Sequence, residues 1–139
     1  MSTEDDVRAV SDRFYSGLSR MDVAALPEIW SHSDDVTTMH PTGGEQVGWE
    51  EVRASFEQAA GPMTDSHVDL VDQRIYAGTD LAYETGIERG SAKLAGEPIE
   101  FEHRVTNVYR LEDGQWKMIH HHTDVSPGLV ETLQRRQAA

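Results

Sequence analysis

Three consecutive imidazoles, His120-His121-His122, lie near the end of the chain on a run that follows Asp113-Gly114. Asn107 sits on the run before that dipeptide, and His40 stands far upstream, directly ahead of Pro41. An imidazole of ordinary pKa, near ~6.5, gains or loses a proton at neutral pH, and a carboxamide can donate to a carbonyl oxygen. His40 as base, Asn107 as amide donor and His120 or His122 as second proton carrier form a set suited to proton abstraction beside a carbonyl, to dehydration or to ring closure. A plainer role is equally open to His40, that of a strand-end imidazole bonded to a backbone carbonyl. The triplet also admits a metal reading, with His103, His40 or Asp124 as third ligand for zinc or iron. Its spacing matches no established metal motif, and no metal or cofactor is expected.

These residues must be positioned by a hairpin. Asp113-Gly114 accepts the positive φ of a type I′ turn, so Pro98 to Leu111 and Gln115 to Val125 read as paired antiparallel strands. Counting back from the turn pairs Glu112 with Gln115, Leu111 with Trp116, Tyr109 with Met118, Asn107 with His120 and Val105 with His122. Strand alternation then puts Leu111, Trp116, Tyr109, Met118, Val105, Asn107, His120 and His122 on one face, with His103 continuing the series. Arg110, Lys117, Val108, Ile119, Thr106, His121, Arg104 and Thr123 fall on the other. Helices should cover the aromatic face, where each unpaired polar group costs roughly 1–3 kcal/mol. The expectation is a wet or ligand-filled cavity floored by Asn107, His120 and His122 and lined by Val105, Tyr109 and Met118, with His40 at its side. In an ordinary core the same polar groups would instead bond to one another. Trp30, Trp49, Phe56 and Tyr83 either line an apolar pocket mouth or belong to plain core.

The rest of the chain supplies the cover. Val7, Val10, Phe14, Leu18 and Met21 have the spacing of an amphipathic helix with acids at its positive end. Asp22 is placed to cap a short second helix through Val23, Leu26, Ile29 and Trp30, with Pro27 near its first turn. Val36 to His40 reads as a strand ending in a turn at Pro41 and Gly43-Gly44. A third helix starts near Gly48-Trp49 and stops at Gly61-Pro62. From Asp65 onward the pattern is strand, with Gly86 and Gly90 as bulges or bends in the long run Leu81 to Leu94. Leu129 to Gln137 reads as a short terminal helix or tail. Helices followed by four long antiparallel strands describe an α+β domain.

Composition narrows the partners. The 139 residues carry 12 Lys+Arg against 25 Asp+Glu, a formal charge of −13, which repels phosphate backbones and anionic lipid, so neither nucleic acid nor membrane is expected. One domain over 1–139 is expected, with a core from about 4 to 127 and a tail over 128–139. No Cys is present, which removes thiolate chemistry and fits a cytoplasmic protein. Arg104, Arg110 and Lys117 read as an outer, solvated or interface surface.

The stretch Asp35-Val36-Thr37-Thr38-Met39-His40-Pro41, followed by Gly48-Trp49-Glu50-Glu51-Val52 and by Asp113-Gly114-Gln115-Trp116-Lys117-Met118-Ile119-His120-His121-His122, resembles the SnoaL-like branch of the nuclear-transport-factor-2-like superfamily. The resemblance covers the chain from Glu4 to about Pro127. It implies a cone-shaped, curved antiparallel sheet with three N-terminal helices on its concave face, a deep pocket for a small organic ligand, and a homodimer through the outer sheet face, where Val108 and Ile119 are apolar. Relatives of this kind include ketosteroid isomerases. Their general-base Asp before a Pro matches His40, their oxyanion-hole Tyr matches Phe14 with Tyr15 adjacent, and their second Asp matches Asn107. All three positions differ, and Phe14 cannot donate to an oxyanion, so steroid isomerisation is not expected. Dehydratase-type members resembling this fold use His and Asn. The resemblance therefore implies a cofactor-independent isomerase, dehydratase or cyclase, or else a non-catalytic ligand-binding or oligomerisation module.

Overall fold

The structure, a computed structural model, describes residues 3–138. Helix α1 (Thr3–Arg20) leads through a 3-10 turn (Val23–Ala25) to the one-turn α2 (Leu26–Ile29). Strands β1 (Thr37–His40) and β2 (Gly43–Val47) precede α3 (Trp49–Ala60), and then come β3 (Met63–Ala77), β4 (Leu81–Leu94), β5 (Glu97–Glu112), β6 (Gln115–Thr123) and α4 (Pro127–Ala138). The strands form one six-stranded sheet in the order β2-β1-β6-β5-β4-β3. Neighbours are antiparallel except β1 and β6, which run parallel. The fold is the expected α+β cone. No described helix is long and apolar enough to cross a membrane.

Local chemistry explains most of these elements. Glu4, Asp5 and Asp6 meet the positive end of α1 and Arg20 its negative end, while Val7, Val10 and Phe14 bury one face. The Asp22 cap is not formed; its side chain makes no capping bond, and the expected second helix shrinks to the 3-10 turn and α2, with Pro27 in the first turn. Gly43-Gly44, read as turn alone, instead opens β2 with φ of 99° and 80°, values that glycine adopts without strain. The terminal helix is longer than expected and is packed, with Leu129 buried against Ala92, Leu94 and Ile99.

The main core joins Val7, Phe14, Ile29, Trp30, Val52 and Phe56 to the concave sheet face through Tyr109 and Met118. Burying a side chain such as Phe14 completely contributes roughly 1.5–3 kcal/mol. Curvature comes from β3, whose register against β4 slips between Thr64 and His67 and between Val71 and Arg74. Asp65 and Asp72, at φ of 52° and 54°, sit in those slips. The bulges are thus on β3 rather than at Gly86 and Gly90: Gly86 faces the second slip, and Gly90 pairs with Val68 just beyond the first. A Cβ on Gly90 would stand 2.2 Å from the His67 carbonyl oxygen, and one on Gly86 2.6 Å from Leu70.

A third slip corrects the hairpin. Pairing follows the expected count from Glu112–Gln115 to Tyr109–Met118, but then Val108 meets His120, Asn107 meets His121 and Val105 meets Thr123, with Ile119 as the extra residue. One inserted residue exchanges the two faces beyond it. His121 and Thr123 therefore point to the concave side, while His120 and His122, expected in the cavity floor, lie on the convex side.

Candidate active site

One row of side chains crosses the concave face at a single level. Glu84 of β4 lies opposite Asn107 of β5, which lies opposite His121 of β6, with Thr38 of β1 beyond. Glu88, four residues from Glu84 on the same face, lies opposite His103. Glu84 and Asn107 are fully buried, and His121, Glu88 and His103 are 3%, 4% and 6% exposed. Tyr15 reaches down from α1 to Glu88 and Asn107.

Hydrogen bonds fix the orientation of every group. Glu84 accepts from the Tyr109 hydroxyl (2.7 Å), Gln73 Nε2 (2.6 Å) and Asn107 Nδ2 (2.9 Å). Asn107 Nδ2 also donates to the Tyr15 oxygen at 3.0 Å, so its amide oxygen must face His121, whose Nδ1 lies 2.6 Å away. A carbonyl oxygen only accepts, so the His121 proton is on Nδ1 and Nε2 carries the lone pair. That Nε2 stands 3.7 Å from Glu88 Oε2. Glu88 accepts from Tyr15 at 2.8 Å through Oε2 and from His103 Nε2 at 2.8 Å through Oε1. His103 Nδ1 is buried with no partner.

The electrostatics follow from this wiring. Burial pushes the Glu88 carboxyl up, but the His103 hydrogen bond, the electrostatic pull of the His121 and His103 rings and the Tyr15 hydrogen bond outweigh it, leaving the group below its ordinary value and ionised. Burial lowers His121 to about 4 against the pull of Glu88, with His40, His103 and His120 adding to the lowering. Burial likewise lowers His40, opposed by Glu88. Tyr15 is raised by burial and by Glu88, so its hydroxyl keeps its proton.

Beside this cluster is a cavity of about 120 Å³ between the sheet, the C-terminal ends of α1 and α3, and Leu129 of α4. Its polar wall is Glu88, His103, His121 and His40, and most of the rest is apolar, including Phe56, Phe101, Leu26 and Val68. His40 Nε2 is 2.8 Å from the Ser55 hydroxyl, and its ring packs edge-on against Phe56. A wider hollow of about 440 Å³ opens on the convex face beside Thr85, Thr106 and His122. Its Arg104 is paired with Asp124 at 2.8 Å, and it holds no buried titratable cluster, so the concave cavity is the better candidate.

Of the expected site residues, His40 and Phe56 reach the cavity wall. Asn107 and Tyr15 belong to the network that orients the wall, while Phe14, Trp30, Val105, Tyr109 and Met118 are buried side chains off it. Phe14 supports the His121 ring edge-on at 5.1 Å. Trp49 stacks on His32. Tyr83 is a correction: it is about half exposed on the convex face and stacks on Tyr76 at 4.9 Å, because its strand parity is opposite to that of Glu84. His120 bonds Thr37 at 2.6 Å and His122 is exposed. No three described His, Asp or Glu side chains are arranged to hold a metal ion. Glu84 and Glu88 escaped the sequence reading, although Ala82, Ala92 and Leu94, which alternate with the same parity, mark their face as the buried one.

A curved sheet closed by helices over a polar-floored cavity is the architecture of the nuclear-transport-factor-2-like superfamily. The chain overlays a protein of that family from Streptomyces avermitilis, proposed to be a dehydratase, with a TM-score of 0.80, 23% identity and coverage of 88% of this chain and 94% of that one. A superfamily member from Salmonella enterica serovar Typhimurium gives a TM-score of 0.81 at 15% identity, covering 88% and 89%. Within the superfamily, residues 7–126 match the SnoaL-like domain, and the chain belongs to that family. The F-box protein SKIP8 of Arabidopsis thaliana is 28% identical over 126 residues, 89% of this chain and 51% of that protein, so the chain spans about half the length of this curated relative.

Proposed function

We propose that the protein is a cofactor-independent enzyme of proton transfer, an isomerase, dehydratase or cyclase, acting on a small organic molecule in the concave cavity. The observation that carries this reading is the His121 Nε2 lone pair held over the Glu88 carboxylate at the wall of an apolar cavity. His121 is neutral at pH 7 and free to accept a proton, and Glu88 beside it stabilises the imidazolium that results. His40, also on the cavity wall, is the second proton carrier. Asn107 is a positioning residue here, since its two amide protons are already engaged by Tyr15 and Glu84. The likeness to a protein proposed to be a dehydratase supports the same class of chemistry.

A probe reaction tests the base without knowledge of the natural substrate. Benzisoxazole loses its ring C–H proton to a base as its N–O bond breaks, giving cyanophenolate. The expected rate exceeds that of imidazole buffer by roughly 10²–10⁴-fold and falls to the buffer rate in His121→Phe. A wild-type rate equal to that of buffer overturns the proposal. The convex face supports a second part of the reading, pairing of two copies. Tyr76 and Tyr83 stack there, and they and Leu81 are each about half exposed, an apolar patch of the kind that interfaces cover.

A further inference from the structure

We infer that the cavity takes a small neutral ligand whose polar end is a hydrogen-bond donor, a hydroxyl or N–H group on an apolar ring or chain, and that it turns away carboxylates and phosphates. The inference rests on the proposed site and deepens it by naming the ligand's chemistry. It follows from where the protons of the cavity wall are. Tyr15 and His103 Nε2 both direct their protons at Glu88, so neither proton is offered to a ligand. His103 Nδ1 is sealed in the core without a partner and is not open to the cavity. The His121 proton, on Nδ1, is donated to the Asn107 amide oxygen, leaving Nε2 bare. Ser55 gives its own proton to the Val52 carbonyl at 2.7 Å, so it accepts from His40 Nε2, which leaves His40 Nδ1 unprotonated. Ser66, also on the wall, donates to the Leu18 carbonyl.

Among the described residues, the polar side chains of the wall thus present acceptors: Glu88 and the lone pairs of His121 Nε2 and His40 Nδ1. A buried acceptor without a donor costs roughly 1–3 kcal/mol, which a ligand hydroxyl recovers and a ligand carbonyl does not. An anionic ligand would also meet the ionised Glu88 in a low-dielectric site, with Asp22 at the cavity edge. The polarity is the reverse of an oxyanion hole, in which donors converge on the ligand.

The test compares phenol, toluene and benzoate, three ring probes that differ in the polar group, by calorimetric titration of the wild-type protein at pH 8. Phenol is expected to bind about tenfold more tightly than toluene, benzoate to show no saturable binding, and phenol alone to move the imidazole nitrogen resonance of His121. Equal affinity for toluene, tighter binding of benzoate, or no saturable binding of phenol each overturns the inference. The two proposals separate cleanly. Phenol preference without benzisoxazole turnover leaves the ligand class standing and removes the catalysis, while turnover without phenol preference does the opposite.

Discussion

Glu84 and Glu88 face the same way on one strand yet do different work. Glu84 has three donors and lies off the cavity wall, so it serves to orient Asn107, and through it the tautomer of His121. Glu88 is on the wall and holds its charge next to two imidazoles. The wiring predicts a pH dependence of stability. His121 titrates at about 4 in the folded protein and near ~6.5 when unfolded. Its contribution is therefore full above pH 6.5, because the unfolded chain begins to take up a proton below that value while the folded one does not. Stability should fall by roughly 3 kcal/mol as pH drops from about 7 to 4, and lowered Glu88 adds loss in the same direction at the acid end. Denaturant unfolding at a series of pH values should show this slope and its reduction in His121→Phe; a flat profile would contradict the burial assigned to the ring. The histidine triplet was legible in the sequence as chemistry, but which of its members faces inward was not, because consecutive residues differ only in parity. The carboxylates were legible in principle, since Ala82, Ala92 and Leu94 share their face.

At the scale of elements, α1, α3 and the Asp113-Gly114 turn could be read from spacing and turn chemistry, whereas the second helix is shorter and the terminal one longer than expected. The bulge at Ile119 could not, because an isoleucine is as suited to a regular strand as to an inserted position. Strand β2 was hidden for a related reason, its opening glycines having the composition of a loop. The glycines of β4 were read correctly as special and given the wrong job. They remain flat so that the bulged β3 can pass close by. Gly90→Ala is accordingly expected to destabilise the protein by about 1–3 kcal/mol, since the new methyl meets the His67 carbonyl, a backbone atom, at 2.2 Å, and Phe101 at 2.8 Å. Gly128→Ala in α4, where a Cβ meets nothing within 4 Å, is the control and should be neutral or stabilising by up to about 1 kcal/mol. Equal denaturation midpoints for the two variants would remove the packing argument.

For the whole molecule, the proposed pairing of copies places two like faces together although the chain carries −13, so the contact must depend on apolar area more than on charge. Tyr83→Lys is expected to convert a dimer into a monomer in sedimentation at micromolar concentration while leaving the benzisoxazole rate unchanged, because Tyr83 is on the side of the sheet away from the cavity. A wild-type protein that sediments as a monomer would end this part of the reading. Fold class was legible at this scale from element order. The cavity's modest size and its closure by α4 were not, since they depend on how Leu129 packs.

Strand β1 lies beside β6, with Thr37 next to His120, although most of the chain separates them in sequence. During synthesis on the ribosome, the row from Glu84 to Thr38 cannot be completed until the last strand has emerged, and closing so long a loop is a slow, late event. A half-made chain therefore lacks the completed polar row, and its first strand waits with an unsatisfied edge that is open to mispairing with neighbouring polypeptides.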